Sequence, residues 1–199
     1  MRNPAFALMF LTLSCSAQGP LQLRTDEVVI GMSQEPDSLW PALASMMAGS
    51  EIKTHLGVNP TTGLTVIDEQ WNLMPNLGGH RPKPGAALEV PCLENGGLED
   101  LCAKHPPANP GERCGLQIID RTGLPVKAQM VSHWELRSDA KWSDGQPVTV
   151  DDVTFGLEFM MSKDLPVIDR SMEERIAAIV PVKDAQGKPS KHRFDIYWK

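Results

Sequence analysis

The 199-residue sequence predicts a mixed α/β fold, and three patterns carry that expectation. From Val126, the apolar residues Val126, Ala128, Met130, Trp134 and Leu136 alternate with Lys127, Gln129, His133, Glu135 and Arg137, interrupted only at Val131 and Ser132. A period of two over that length marks a strand with one buried face. Behind Thr149, the residues Val153, Leu157, Met160 and Met161 recur at helical spacing. Near the end, Phe194, Ile196 and Trp198 alternate with Asp195, Tyr197 and Lys199, as in another strand.

The chain opens with a basic Arg2, an apolar run from Ala5 to Leu13, and small residues at Ser14, Ser16 and Ala17. That order reads as an export signal over residues 1–17, against a buried N-terminal helix that nothing after Ser14 continues. The run falls short of the about 20 residues a membrane-crossing helix needs, and no later stretch is long enough. Two cuts fit. Cys15 after Leu13-Ser14 resembles the lipobox of bacterial lipoproteins, which would make Cys15 a lipidated N-terminus, with Thr12 where that pattern prefers Leu. Alternatively, Cys15-Ser16-Ala17 is a small-x-small site for the ordinary signal peptidase.

Val28-Val29-Ile30 before Gly31 is a short strand-like run. The stretch Gly78 to Pro125 is different in kind, with eight Gly and seven Pro among 48 residues. Proline lacks the amide donor and glycine costs backbone entropy, so this composition reads as an irregular surface excursion. It holds Cys92, Cys102 and Cys114, an odd number after either cut. In an oxidising export compartment three thiols imply one bridge and one leftover. A zinc site would recruit His105 as well, but the spacings contain no C-x-x-C knuckle, and a disulfide is favoured.

After the first strand, Ser143-Asp144-Gly145 is a turn, and Thr149 can cap a helix starting at Val150 with Asp151 and Asp152 in its first turn. Ser171 to Val180 reads either way: Ser171 with Glu174 resembles a capping box, while Arg175 to Val182 could be extended. A Gly187-Lys188-Pro189 turn precedes the last strand, and the sequence stops within that strand, as if cut short.

The formal net charge of −6 and pI near 5.4 argue against a general electrostatic grip on nucleic acid. No G-x-S-x-G elbow, H-E-x-x-H, P-loop or dinucleotide glycine motif occurs. The five histidines are scattered. Asp139, Asp144, Asp151 and Asp152 form an acidic group, for which turn and helix-start roles are the simpler reading. Paired Met46-Met47 and Met160-Met161 suit an adaptable pocket wall or, for the second pair, core packing.

The run Trp134 to Phe155, WELRSDAKWSDGQPVTVDDVTF, closely resembles the signature of the family-5 extracellular solute-binding proteins, the oligopeptide, dipeptide and nickel binding proteins of bacterial ABC importers. The matching positions are Leu136, Arg137, Lys141, Trp142, Ser143, Asp144, Gly145, Pro147, Thr149, Asp152 and Val153. Val29 to Pro41 is similar to the family's first strand and E-P-x-S-L-D-P loop, with Trp40 in place of the usual Asp. Gln70 to Leu77 and Ile176 to Trp198 resemble two further segments, and residues 78–125 interrupt the likeness as an insertion.

The resemblance implies the N-terminal part of a two-lobed periplasmic-binding-protein-like α/β fold (class II type), incomplete in this chain. Residues 18–77 would begin lobe I, 78–125 would be the Cys-containing insertion, and 126–199 would continue lobe I. Such a protein binds peptide between its lobes and hands it to permease subunits, with no cofactor, metal or bond chemistry. It would work outside the inner membrane, periplasmic or attached to the cell envelope, as a monomer. Ser38 and Trp40 would shape the ligand loop, and Ser45, Met46 and Met47 would touch the ligand. Family members are much longer, so these residues alone are expected to expose apolar surface, melt broadly and show no measurable solute affinity. Two other readings are a secreted disulfide-containing interaction module and an exported hydrolase using the acidic group.

Overall fold

The computed structural model describes residues 63–167 and 169–199. The expectations for the export signal, Cys15, Val28–Gly31, Ser38, Trp40, Ser45, Met46 and Met47 lie outside the described residues.

Two strands organise what is described. β7 (Met130–Leu136) pairs antiparallel with β9 (Pro189–Trp198) through the register Met130↔Trp198, Ser132↔Ile196 and Trp134↔Phe194. On its other edge β7 takes two short partners, β3 (Gly78–Gly79) opposite Leu136 and Glu135, and β4 (Leu98–Asp100) opposite Ser132 to Met130. β9 in turn pairs with β8 (Ile176–Lys183), completing a five-stranded antiparallel sheet. The last strand is therefore flanked on both sides. Two hairpins stand apart from this sheet, β1 (Thr65–Ile67) with β2 (Leu73–Pro75), and β5 (Leu116–Ile119) with β6 (Pro125–Ala128).

The alternating run from Val126 is two strands rather than one, parted at Gln129. The Gln129 N–H donates to the Trp198 carbonyl at 2.7 Å and its own carbonyl accepts from Leu101 N–H at 2.9 Å. This swaps pairing partners, so the run leaves the β5–β6 hairpin and enters the central sheet.

The glycine- and proline-rich stretch is more ordered than its composition suggests. It supplies β3, β4, β5 and the four-residue helix α1 (Leu101–Lys104), whose first amides are capped by the Asp100 carboxylate. Gly78 and Gly79 are both buried, and a Cβ on Gly79 would lie 2.7 Å from the Glu89 carbonyl oxygen. Glycine serves close backbone packing there. A disulfide joins Cys102 on α1 to Cys114, twelve residues on, and leaves Cys92 as a free, half-buried thiol. With two of its four ligands in that bridge, the zinc alternative of Cys92, Cys102, His105 and Cys114 fails.

The turn and helix after β7 form as the sequence indicates. Gly145 takes φ 87°, a left-handed conformation that glycine adopts without a Cβ clash. Asp144 accepts the Gln146 amide at 2.9 Å. Helix α2 (Val150–Met161) opens on a reciprocal cap in which Thr149 N–H donates to the Asp152 carboxylate at 2.7 Å. The ambiguous stretch resolves into a 3₁₀ turn, Glu173–Arg175, followed by β8. Pro181 is tolerated because β8 is an edge strand and its register shifts beside that residue.

The main core sits between the sheet and α2: Leu136, Val148, Val150, Phe194 and Ile196. A second cluster, Leu101, Ala128 and Val131, fills the opposite side with Leu116, Ile118 and Tyr197 against it. No helix among the described residues is long and apolar enough to cross a membrane.

Candidate functional site

Paired residues in an antiparallel sheet share a face. By the register, Met130, Ser132 and Trp134 of β7 lie on the same side as Phe194, Ile196 and Trp198 of β9, with Leu98 of β4 opposite Ser132 and Ile179 of β8 opposite Ile196. Helix α2 covers part of this face. The remainder opens into a cavity of about 810 Å³, walled by Trp134, Ile176, Ile196 and Trp198 from the sheet, Leu157 and Met160 from α2, and Met172 from the segment leading into β8. That volume lies within the range of about 300–1,000 Å³ typical of small-ligand sites.

One buried hydroxyl organises the wall. Ser132, 1% exposed, accepts the indole N–H of Trp134 at 2.8 Å and that of Trp198 at 2.9 Å, and donates to the Ile196 carbonyl at 3.5 Å. A serine hydroxyl has one donor and two acceptor positions, so all are used. Both indoles are thereby held with their polar edge turned to the sheet. Among the described residues lining the cavity, Glu173 is the only charged side chain and no histidine or cysteine is present. The arrangement suits capture of an apolar group; the lining has no nucleophile and base side by side.

The opposite face carries the second apolar cluster at Val131 and Tyr197 and is polar beyond it. His133 Nδ1 lies 2.7 Å from Asp195 Oδ1, its cross-strand partner, and Nε2 lies 3.9 Å from Glu99 on β4. Lys104 pairs with Glu99 at 2.8 Å, and Arg81 with Glu135 at 2.8 Å. The hydrogen bond to Asp195, followed by the charges of Asp195 and Glu99, raises the His133 pKa against the opposing effects of burial and Lys104. Burial, reinforced by the same two carboxylates, raises that of Tyr197.

The acidic group has separate local employment. Asp139 pairs bidentately with Arg137 at 3.0 and 2.7 Å, which holds its carboxyl below the usual range. Asp144 closes the turn, Asp152 caps α2, and Asp151 is exposed on the first helical turn. Of the paired methionines, Met160 lines the cavity. Ser132 is the residue that the alternation misread. It is in phase with Met130, Trp134 and Leu136, and a polar residue at an in-phase position was the available signal. Val131 is the neighbour that points the other way, into the second cluster.

No protein-family model matches the chain, and no curated protein matches it. Among solved structures, the chain is similar to an oligopeptide binding protein from Thermus thermophilus complexed with pentapeptide, at 23% identity and a TM-score of 0.48. The match covers 79% of this chain and 19% of that one, so the chain spans about a fifth of that protein's length.

Proposed function

We propose that this chain forms the first part of lobe I of a substrate-binding component of an ABC importer, a protein that captures peptides outside the inner membrane and delivers them to a permease. The observation that carries this reading is the run Trp134–Phe155. The positions that resemble the family-5 signature have structural work to do: Leu136 enters the core, Gly145 supplies the left-handed turn residue, and Thr149 and Asp152 cap α2. The apolar cavity supports it as well, because aromatic and methionine walls accept varied side chains.

In this reading Ser38 and Trp40 shape the ligand loop, Ser45, Met46 and Met47 touch the peptide, and residues 1–17 export the chain, with Cys15 as a lipid anchor. The test is to express the reading frame from the source DNA through the codons following Lys199 and to titrate it with short-peptide pools, following tryptophan emission and heat. Saturable binding of peptides, lost when Met46 and Met47 are replaced by Asp, is the expected result. A folded product that no peptide pool saturates overturns the reading. The Cys102–Cys114 bridge favours a second reading, a secreted interaction module. That module would give a sharp, cooperative melt for the 199 residues alone, where part of a lobe gives a broad one.

A further inference from the structure

We infer that the groove between residues 80–84 and the start of β9 binds a small oxyanion, a phosphate or carboxylate group, through Arg81, Lys83 and Arg193. This goes beyond peptide capture and does not depend on it. The groove exists because β9 outruns its neighbour: the pairing of β7 with β9 ends at Glu135↔Arg193, while β9 itself begins at Pro189. In the stretch without a β7 partner, the Ser190 hydroxyl accepts the amides of His192 at 3.2 Å and Arg193 at 3.0 Å. The chain between β3 and β4 stands opposite, and the space enclosed is about 540 Å³.

Two features of the lining point to an anion. First, Arg81, Lys83 and Arg193 converge on the space against a single carboxylate, Glu135, in a chain whose net charge is −6. A local positive field in a negative molecule focuses anions there. Second, the cations have capacity to spare. Lys83 and Arg193 are exposed and make no ion pair among the described residues. Arg81 is fixed in place by Glu135 and the Ala86 carbonyl, yet a guanidinium has more N–H groups than these two bonds use. An oxyanion between Arg81 and Arg193 would take charge-assisted bonds from the cations.

Isothermal titration of the full chain with inorganic phosphate and, separately, with succinate, at constant ionic strength in chloride, tests this. At least one anion should give saturable heat, and the tighter of the two identifies the group. The double variant Lys83→Gln with Arg193→Gln should weaken that anion by about tenfold or more. Its circular dichroism spectrum should match the parent, since both side chains are exposed. Arg121→Gln with Lys163→Gln removes the same charge from exposed positions elsewhere and should change affinity by less than about twofold. Absence of saturable heat with both anions overturns the proposal, as does equal affinity in the parent and the Lys83/Arg193 variant.

Discussion

The two faces of β7 and β9 share one backbone and differ in almost every physical respect. On one side Ser132, Trp134, Leu136, Phe194, Ile196 and Trp198 make a dry wall whose one hydroxyl is fully committed to the sheet and its two indoles. On the other, next to the apolar pair Val131 and Tyr197, His133, Asp195 and Glu99 tie three adjacent strands together by charge, with Lys104 and the Arg81–Glu135 pair beside them. The period of two is what keeps these chemistries apart while each stays close to the backbone that positions it. The difference teaches where binding energy and where register come from in this sheet. Apolar area and the fixed indoles belong to the cavity side. The charged pairs belong to the side that holds β4 in place.

If the dry face carries the stability, Phe194→Ala should cost about 3–5 kcal/mol in urea denaturation, because the ring is fully buried and leaves a cavity against α2. His133→Gln on the polar face should cost less than about 1 kcal/mol, since partly exposed pairs are screened by water. Equal losses for the two would break the comparison. A smaller effect sharpens it: Ser132→Val deprives two indole N–H groups of their acceptor and should cost about 1–3 kcal/mol. Trp134 and Trp198 emission should change with it; unaltered emission and stability would mean that the hydroxyl does not hold the rings. The smallest effect is pH-dependent. His133 has a folded pKa raised above its ordinary value of 6.5, chiefly by the hydrogen bond to Asp195. Its stabilisation is therefore fully present below that ordinary value and is lost as pH rises through the raised one. The melting temperature should fall across that window in the parent and stay flatter in His133→Gln; parallel curves would remove His133 from the account.

Much of the architecture was legible from local chemistry. The Asp144-Gly145 turn, the helix start at Thr149 and the alternation of Phe194, Ile196 and Trp198 each depend on residues a few positions apart, and each formed as read. Residues 78–125 were the counter-example. Composition counts donors and entropy, but it cannot see that strands of two and three residues suffice when β7 offers them an edge, or that Gly79 is small to admit a neighbouring carbonyl. The ligand-contact residues inferred from resemblance, Ser38 to Met47, lie outside the described residues.

What the amino-acid order settled on its own is local: which residues alternate, where a turn needs glycine, and which helix start is capped. Those follow from short-range sterics and hydrogen bonding, which act within a few residues of chain. What the tertiary structure alone decided is partnership. It placed β9 between β7 and β8, brought two tryptophans 64 positions apart onto one serine, and set Arg81 and Lys83 across from His192 and Arg193. Register between distant strands is selected by burying both faces at once, and no single strand carries that information in its own pattern.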